Sequence, residues 1–204
     1  MKDPELRAAT ASEPLTLEEE YAMQDSWRTD TDKLTFIACM SDPLTQSPKT
    51  HLRVGEDDAP HNMIGDINLF LTPDSEEDDD EEKQAIVGEI EIMIASKAHQ
   101  GQGLGREILL MFIWYILRSY SDIVSEYHRN NRNGRSSYIR YLRVKIDHNN
   151  LRSVKLFENV GFQKVSDEPN YFGEVELRWE IYPDSMDAVQ GRMDTVPRIS
   201  VYQP

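Results

Sequence analysis

Gln100-Gly101-Gln102-Gly103-Leu104-Gly105 puts three glycines between a short apolar strand pattern and a long apolar helix pattern. Glycine lets the main chain approach a ligand closely. The first N–H groups of a helix have no intrahelical partner, and the helix dipole stands behind them. This arrangement predicts the binding of a phosphorylated group. Two common forms of such a loop are excluded. A nucleoside triphosphate loop ends Gly-Lys-Ser or Gly-Lys-Thr, and this chain has Gly105-Arg106-Glu107. A dinucleotide loop starting at Gly101 needs glycine or alanine at 106, where Arg106 stands.

Two carboxylates precede the loop. Glu89 and Glu91 lie in an alternating segment, so period two puts their side chains on one face with Val87 and Met93. A carboxylate among apolar neighbours can accept a proton near neutral pH, whereas two carboxylates on a wet face do no chemistry. After the loop, Asn150 can cap a helix in which Val154, Phe157 and Val160 share a face and Gly161 acts as terminator.

The elements that must position these residues follow from periodicity. Thr16 to Trp27 reads as a helix opened by a capping box, Thr16 with Glu19, and Leu17, Tyr21 and Gln24 fall on one face. Lys33 to Met40 is strand-like, and Ser41 to Pro60 is a loop. Met63 to Leu71 and Ile86 to Ala95 alternate and predict adjacent antiparallel strands. Leu104 to Tyr120, running on toward His128, predicts a buried helix, because Ile108 to Leu117 is apolar all round. Tyr138 to Ile146 is the next strand and Asn150 to Val160 the next helix. Phe162 to Val165 and Phe172 to Tyr182 form a closing strand pair. The expected organisation is a short segment 1–15, a domain 16–182 with an acidic loop 72–84 and a polar insertion 129–137, and a disordered tail 183–204.

Composition narrows the classes. The chain has 204 residues, 39% of them hydrophobic, enough for one domain with an ordinary core. Its one cysteine, Cys39, allows no internal disulfide and reads as a small core residue. The net charge is −15, and eight negatives fall in Asp74 and Glu76 to Glu82, a solvated run by default. An acidic chain without an aromatic RNA motif argues against nucleic-acid binding through Arg129, Arg132, Arg135, Arg140 and Arg143. The five histidines show no ligand spacing, so no metal is expected. Neither a secretory h-region nor a run near the ~20 apolar residues of a membrane span is present, and the expected location is the cytoplasm.

Gln100, Gly103 and Gly105 match Gln/Arg-x-x-Gly-x-Gly/Ala, and Asn150 to Phe162 matches a later motif of Asn, then Ser or Ala three residues on, then a helix ending Gly-Phe. In this order and separation they resemble the GNAT superfamily of N-acetyltransferases. Thr10 to Gln24, Gly65 to Leu71 and Gly88 to Ala95 are similar to its eukaryotic N-acetyltransferase 9-like branch, and the resemblance extends to Tyr182.

The resemblance implies an α/β GNAT (acyl-CoA N-acyltransferase) fold, a mixed, mostly antiparallel sheet flanked by helices, here without the family's first strand and first helix. It implies an acyltransferase that moves the acetyl group of acetyl-CoA to an amine, on a protein or peptide. The main-chain N–H groups of Gln100, Gly101, Gln102, Gly103, Leu104 and Gly105 would take the pyrophosphate. Met93, Ile94 and Ala95 would pair with the pantetheine arm, one N–H there stabilising the oxyanion. Asn150 and Ser153 would meet the arm, with a plain helix cap the other reading of Asn150. Glu89 matches the position of the base in several relatives, and Glu91 is a second candidate. Where many relatives carry a tyrosine acid this chain has Phe157; Tyr138 or Tyr141 could substitute, and the sequence selects neither. A weakly active or inactive acetyl-CoA-binding or scaffold protein of the same fold is the alternative.

Overall fold

The computed structural model describes residues 14–40, 52–75, 83–130 and 135–200. Helix α1, Leu17–Thr29, opens as its sequence predicts. Thr16 Oγ1 accepts from Glu19 N at 3.3 Å, and the Glu19 carboxylate accepts from Thr16 N at 2.8 Å. Its apolar residues do not find a core: no residue of α1 is buried, and Leu17 and Tyr21 are exposed.

Six strands follow with order β1-β2-β3-β4-β6-β5. They are β1 (Lys33–Cys39), β2 (Met63–Pro73), β3 (Lys83–Ile94), β4 (Ser136–Asp147), β5 (Gln163–Lys164) and β6 (Glu174–Glu180). Asp74 N donates to Ala85 O, and Ser96 N to Ile64 O, so β2 and β3 run in opposite directions. β3 and β4 are parallel, with a register shift between Ile86 and Val87, and β6 is antiparallel to both β4 and β5. The sheet is mixed, as expected. Among the described residues β1 forms one of its edges.

The chain divides into two compact units, and β1, β2 and β3 each contribute to both. The first unit takes the described parts of Met1–Thr35, Asn68–Ile90 and Ser121–Ile181. Its core gathers Leu69, Ile86, Val87, Ile90, Leu142, Val144, Phe157 and Leu177. Helix α3, Tyr120–Asn130, contributes Ile123 and Tyr127, and α4, Leu151–Val160, contributes Val154, Phe157 and Val160. Phe157 meets Phe162 edge-on at 5.0 Å between ring centroids. The Asp74 carboxylate, 2% exposed, takes Arg140 Nη1 at 2.7 Å where β2 ends.

The second unit takes the described parts of Phe36–Ile67, Glu91–Tyr120 and Tyr182–Pro204. Helix α2, Leu104–Arg118, buries Leu109, Leu110, Phe112, Ile113, Trp114 and Ile116, as its unbroken apolar run requires. Phe36 stacks edge-on against Phe112 and Tyr115.

Four expectations are corrected. The long helix does not run through to His128: it stops at Arg118, and a separate helix, α3, begins at Tyr120. The closing strands are shorter than predicted, with Gln163–Lys164 paired to only part of β6. Cys39 is exposed rather than a core residue; partial burial, then the Asp58 charge, push its thiol upward, which disfavours the nucleophilic thiolate. The stretch from 183 on holds a helix, α5 (Ser185–Gln190), where a disordered tail is expected. Tyr182 N donates to Ser185 Oγ at 2.8 Å, Val189 is buried, and α5 packs on α2. Of the acidic run, residues 76–82 lie outside the described residues, as do 131–134 of the polar insertion.

Candidate active site

The glycine loop is built within the second unit. β3 ends at Ile94, a single 3-10 turn spans Lys97–His99, and the chain enters α2 at Leu104. Gly101 and Gly103 have φ of +76° and +84°, backbone that L side chains rarely adopt, and Gly103 is the helix N-cap. A Cβ on either would meet nothing within 4 Å, so these glycines serve the turn and leave open space beside it. Among the described residues the main-chain N–H groups of Gly101, Gln102, Gly103, Leu104 and Gly105 donate no hydrogen bond. Five successive donors at the start of a 15-residue helix make a cradle for an anion.

Side chains hold this loop in shape. Gln100 Nε2 donates to Ile94 O at 2.8 Å, Gln102 Nε2 to Ala98 O at 2.6 Å, and Ser96 Oγ lies 2.7 Å from His99 Nδ1. Gln100 and Gln102 are therefore engaged through their side chains within the loop. Arg106 pairs with Glu107 at 2.6 Å, offsetting a negative charge in the first turn, and its other nitrogen donates to Arg192 O at 2.9 Å. Met93 and Ile94 end β3, and Ala95 follows it, exposed. The fit for a diphosphate group is good here, in unpaired N–H groups and in space.

The carboxylates have unequal surroundings. Glu91 is exposed. Glu89 is half-buried, and its neighbours are cations rather than the expected apolar side chains: Arg143 Nε lies 2.7 Å and Lys145 Nζ 3.4 Å from Oε2. The parallel register that pairs Glu89 with Arg143 causes this. Asn150 caps α4, with Oδ1 accepting from Ser153 N at 3.2 Å, so those two residues are brought together by the cap itself. Phe157 is core, and Tyr141 is 2% exposed beneath the Arg178 guanidinium, 4.2 Å from its ring centroid.

Three features were not visible in the sequence reading. Arg143 signalled only as one of five basic arginines and Lys145 gave no signal; of those arginines, Arg140 and Arg143 are engaged in internal ion pairs. The third feature is an aromatic pair, Tyr171 and Phe172, 97% and 80% exposed and 5.4 Å apart, on the turn between β5 and β6. Asn170 Oδ1 fixes that turn by accepting from Phe172 N and Glu174 N, and Gly173 O accepts from His148 N, beside Asn150. The signal would have been Asn170-Tyr171-Phe172-Gly173, two large aromatics inside a turn sequence. Among the described residues there is no group of three or more His, Cys, Asp or Glu able to hold a metal, and no single helix long and apolar enough to cross a membrane.

Residues 1–163 match the acetyltransferase (GNAT) domain. The chain belongs to the GNAT acetyltransferase family. It is 37% identical to an N-acetyltransferase 9-like protein of Schizosaccharomyces pombe, over 87% of this chain and 83% of the relative. It is 36% identical to the alpha/beta-tubulin-N-acetyltransferase 9 of Homo sapiens, over 87% and 70%, and 34% identical to that of Drosophila melanogaster, over 100% and 85%. The backbone is similar to an aminoglycoside acetyltransferase solved with coenzyme A, with a TM-score of 0.55 at 14% identity, covering 95% of this chain and 88% of that one, a likeness of fold. As a GNAT member the chain is an acetyl-CoA-dependent N-acetyltransferase.

Proposed function

We propose that this GNAT enzyme acetylates an amine on a protein or peptide, with the diphosphate of acetyl-CoA held by the main-chain N–H groups of Gly101 to Gly105. The observation that carries this is that those five donors are unpaired at the N-terminus of α2. Gln100 shapes the loop, Met93, Ile94 and Ala95 pair with the extended pantetheine arm, and Asn150 and Ser153 contact the arm as well as capping α4. An N–H from the Met93 to Ala95 stretch supports the developing oxyanion, an interaction worth about 3 kcal/mol in comparable sites.

In the transfer itself, Glu89 Oε1 takes a proton from the acceptor ammonium, N–H breaking as O–H forms. The freed lone pair attacks the thioester carbonyl, a C–N bond forms, C–S breaks, and the departing thiolate takes up the proton the nitrogen releases. Glu91, more exposed, relays protons to solvent. No side chain needs to be the acid, since a thiolate is a fair leaving group.

A macromolecular acceptor is supported by Tyr171 and Phe172, large exposed aromatics on a turn whose backbone Asn170 fixes and that is tied to the segment beside Asn150. The names of the human and fly relatives make tubulin the first acceptor to test. A cytoplasmic location is part of the same proposal, supported by a lone, unpaired Cys39.

Two experiments test it. Calorimetric titration with acetyl-CoA should show binding that Gly103→Glu abolishes, because a carboxylate then stands at the anion cradle; equal affinity of both proteins would refute the donor assignment. Mass spectrometry of α/β-tubulin incubated with enzyme and acetyl-CoA should show new acetyl groups, and acetylation of free polyamines alone would refute the protein acceptor.

A further inference from the structure

Two cations engage Glu89, and both choose the same oxygen. Arg143 Nε donates to Oε2 at 2.7 Å and Lys145 Nζ lies 3.4 Å from that atom, while Oε1 makes no hydrogen bond among the described residues. The register explains why Arg143 turns toward β3. On its other side it faces Arg178 of β6, a like charge already paired to Glu176 at 2.6 Å and stacked on Tyr141. Glu89 lies directly across from Arg143 on β3. The two side chains are 21% and 19% exposed, so the bond is less screened than a surface pair and can fix one rotamer of the carboxylate.

We infer that Arg143 is a positioning residue for acetyl transfer, anchoring Glu89 through Oε2 so that Oε1 is the atom that receives the proton of the acceptor amine. The inference rests on Glu89 as the base. Proton transfer needs that oxygen held within hydrogen-bond reach of the amine, and an unanchored carboxylate spreads over its rotamers, which lowers the fraction of correctly oriented enzyme. Lys145, at a longer distance and more exposed, supports the same oxygen more weakly.

A double-mutant cycle reads this directly. Arg143→Gln should lower kcat about 10-fold with the KM for acetyl-CoA changed less than about twofold, because the anchor acts on the base and not on the cofactor loop. Arg143→Lys, which keeps a cation, should recover part of the loss. In a Glu89→Gln background, adding Arg143→Gln should cost no more than about twofold, since the residue it positions is gone. An equal, multiplicative loss in both backgrounds would overturn the positioning role while leaving Glu89 as base. Full kcat in Glu89→Gln alone would instead overturn the base and the anchor together. Should Arg143→Gln fail to fold, the cycle with Arg143→Lys reads the same coupling.

Discussion

Gln100 reaches back six residues and donates its side-chain N–H to the main-chain oxygen of Ile94 at 2.8 Å, tying the end of β3 to the glycine loop. Removing it leaves both segments folded and loosens their relation. Gln100→Ala is expected to raise the acetyl-CoA dissociation constant about fivefold, the equivalent of one net hydrogen bond of about 1 kcal/mol, at nearly unchanged melting temperature. Calorimetry beside a thermal melt checks this, and a large fall in melting temperature at constant affinity would contradict it.

Two glycines of the second unit should respond to alanine in different ways. A Cβ on Gly65 would stand 1.9 Å from Met93 O, a backbone atom that cannot move aside, so Gly65→Ala should cost more than about 3 kcal/mol. A Cβ on Gly103 meets nothing, and only the left-handed backbone resists it, so Gly103→Ala should cost about 1 to 2 kcal/mol. Urea denaturation of both variants gives the comparison; equal losses would show that the close approach of β2 to Met93 is wrong.

Phe157 tests the assignment of that position to packing. Its side chain is 1% exposed and edge-on to Phe162. Phe157→Ala is expected to lose about 3 to 5 kcal/mol of stability by chemical denaturation, through lost burial and the cavity left behind. A loss under about 1 kcal/mol would point to a site role instead.

Acid should loosen one helix cap and one turn before the core. The Thr16 main-chain N–H, then its hydroxyl, hold the Glu19 carboxyl below its ordinary value, and the Asn149 main-chain N–H, then the Asn149 side chain and His148, do the same for Asp147. A depressed folded value means the stabilisation is present above the ordinary carboxylate range near pH 4 and is lost as pH falls through the folded value. Carbon secondary shifts followed from pH 7 to pH 3 should therefore show fraying at residues 17–20 and 147–150 on acidification. Fraying on raising the pH would contradict the sign.

Whether each feature could be read from sequence depended on whether its cause was local. The Thr16 capping box, the Asn150 cap and the Gly161 terminator, at φ +112°, are each settled within a few residues. The break after Arg118 was hidden because an all-apolar run carries no periodicity to mark where one helix gives way to the next. Ser185–Gln190 is only six residues long and is held by the buried Val189 and by Ser185 Oγ accepting from Tyr182 N, too short for any stripe to register. The partners of Glu89 lie 54 and 56 positions along the chain, and only the parallel pairing of β3 with β4 brings them together.

The central claim, that the Gly101 to Gly105 amides grip the diphosphate, is tested most directly by amide NMR with two ligands. Coenzyme A carries the diphosphate, and S-acetyl-pantetheine presents the acyl arm without it. Titration with coenzyme A should move the N–H resonances of residues 101–105 downfield, and S-acetyl-pantetheine should move those of Met93 to Ala95 while leaving the loop unchanged. Loop resonances that stay still as coenzyme A saturates the protein would contradict the account.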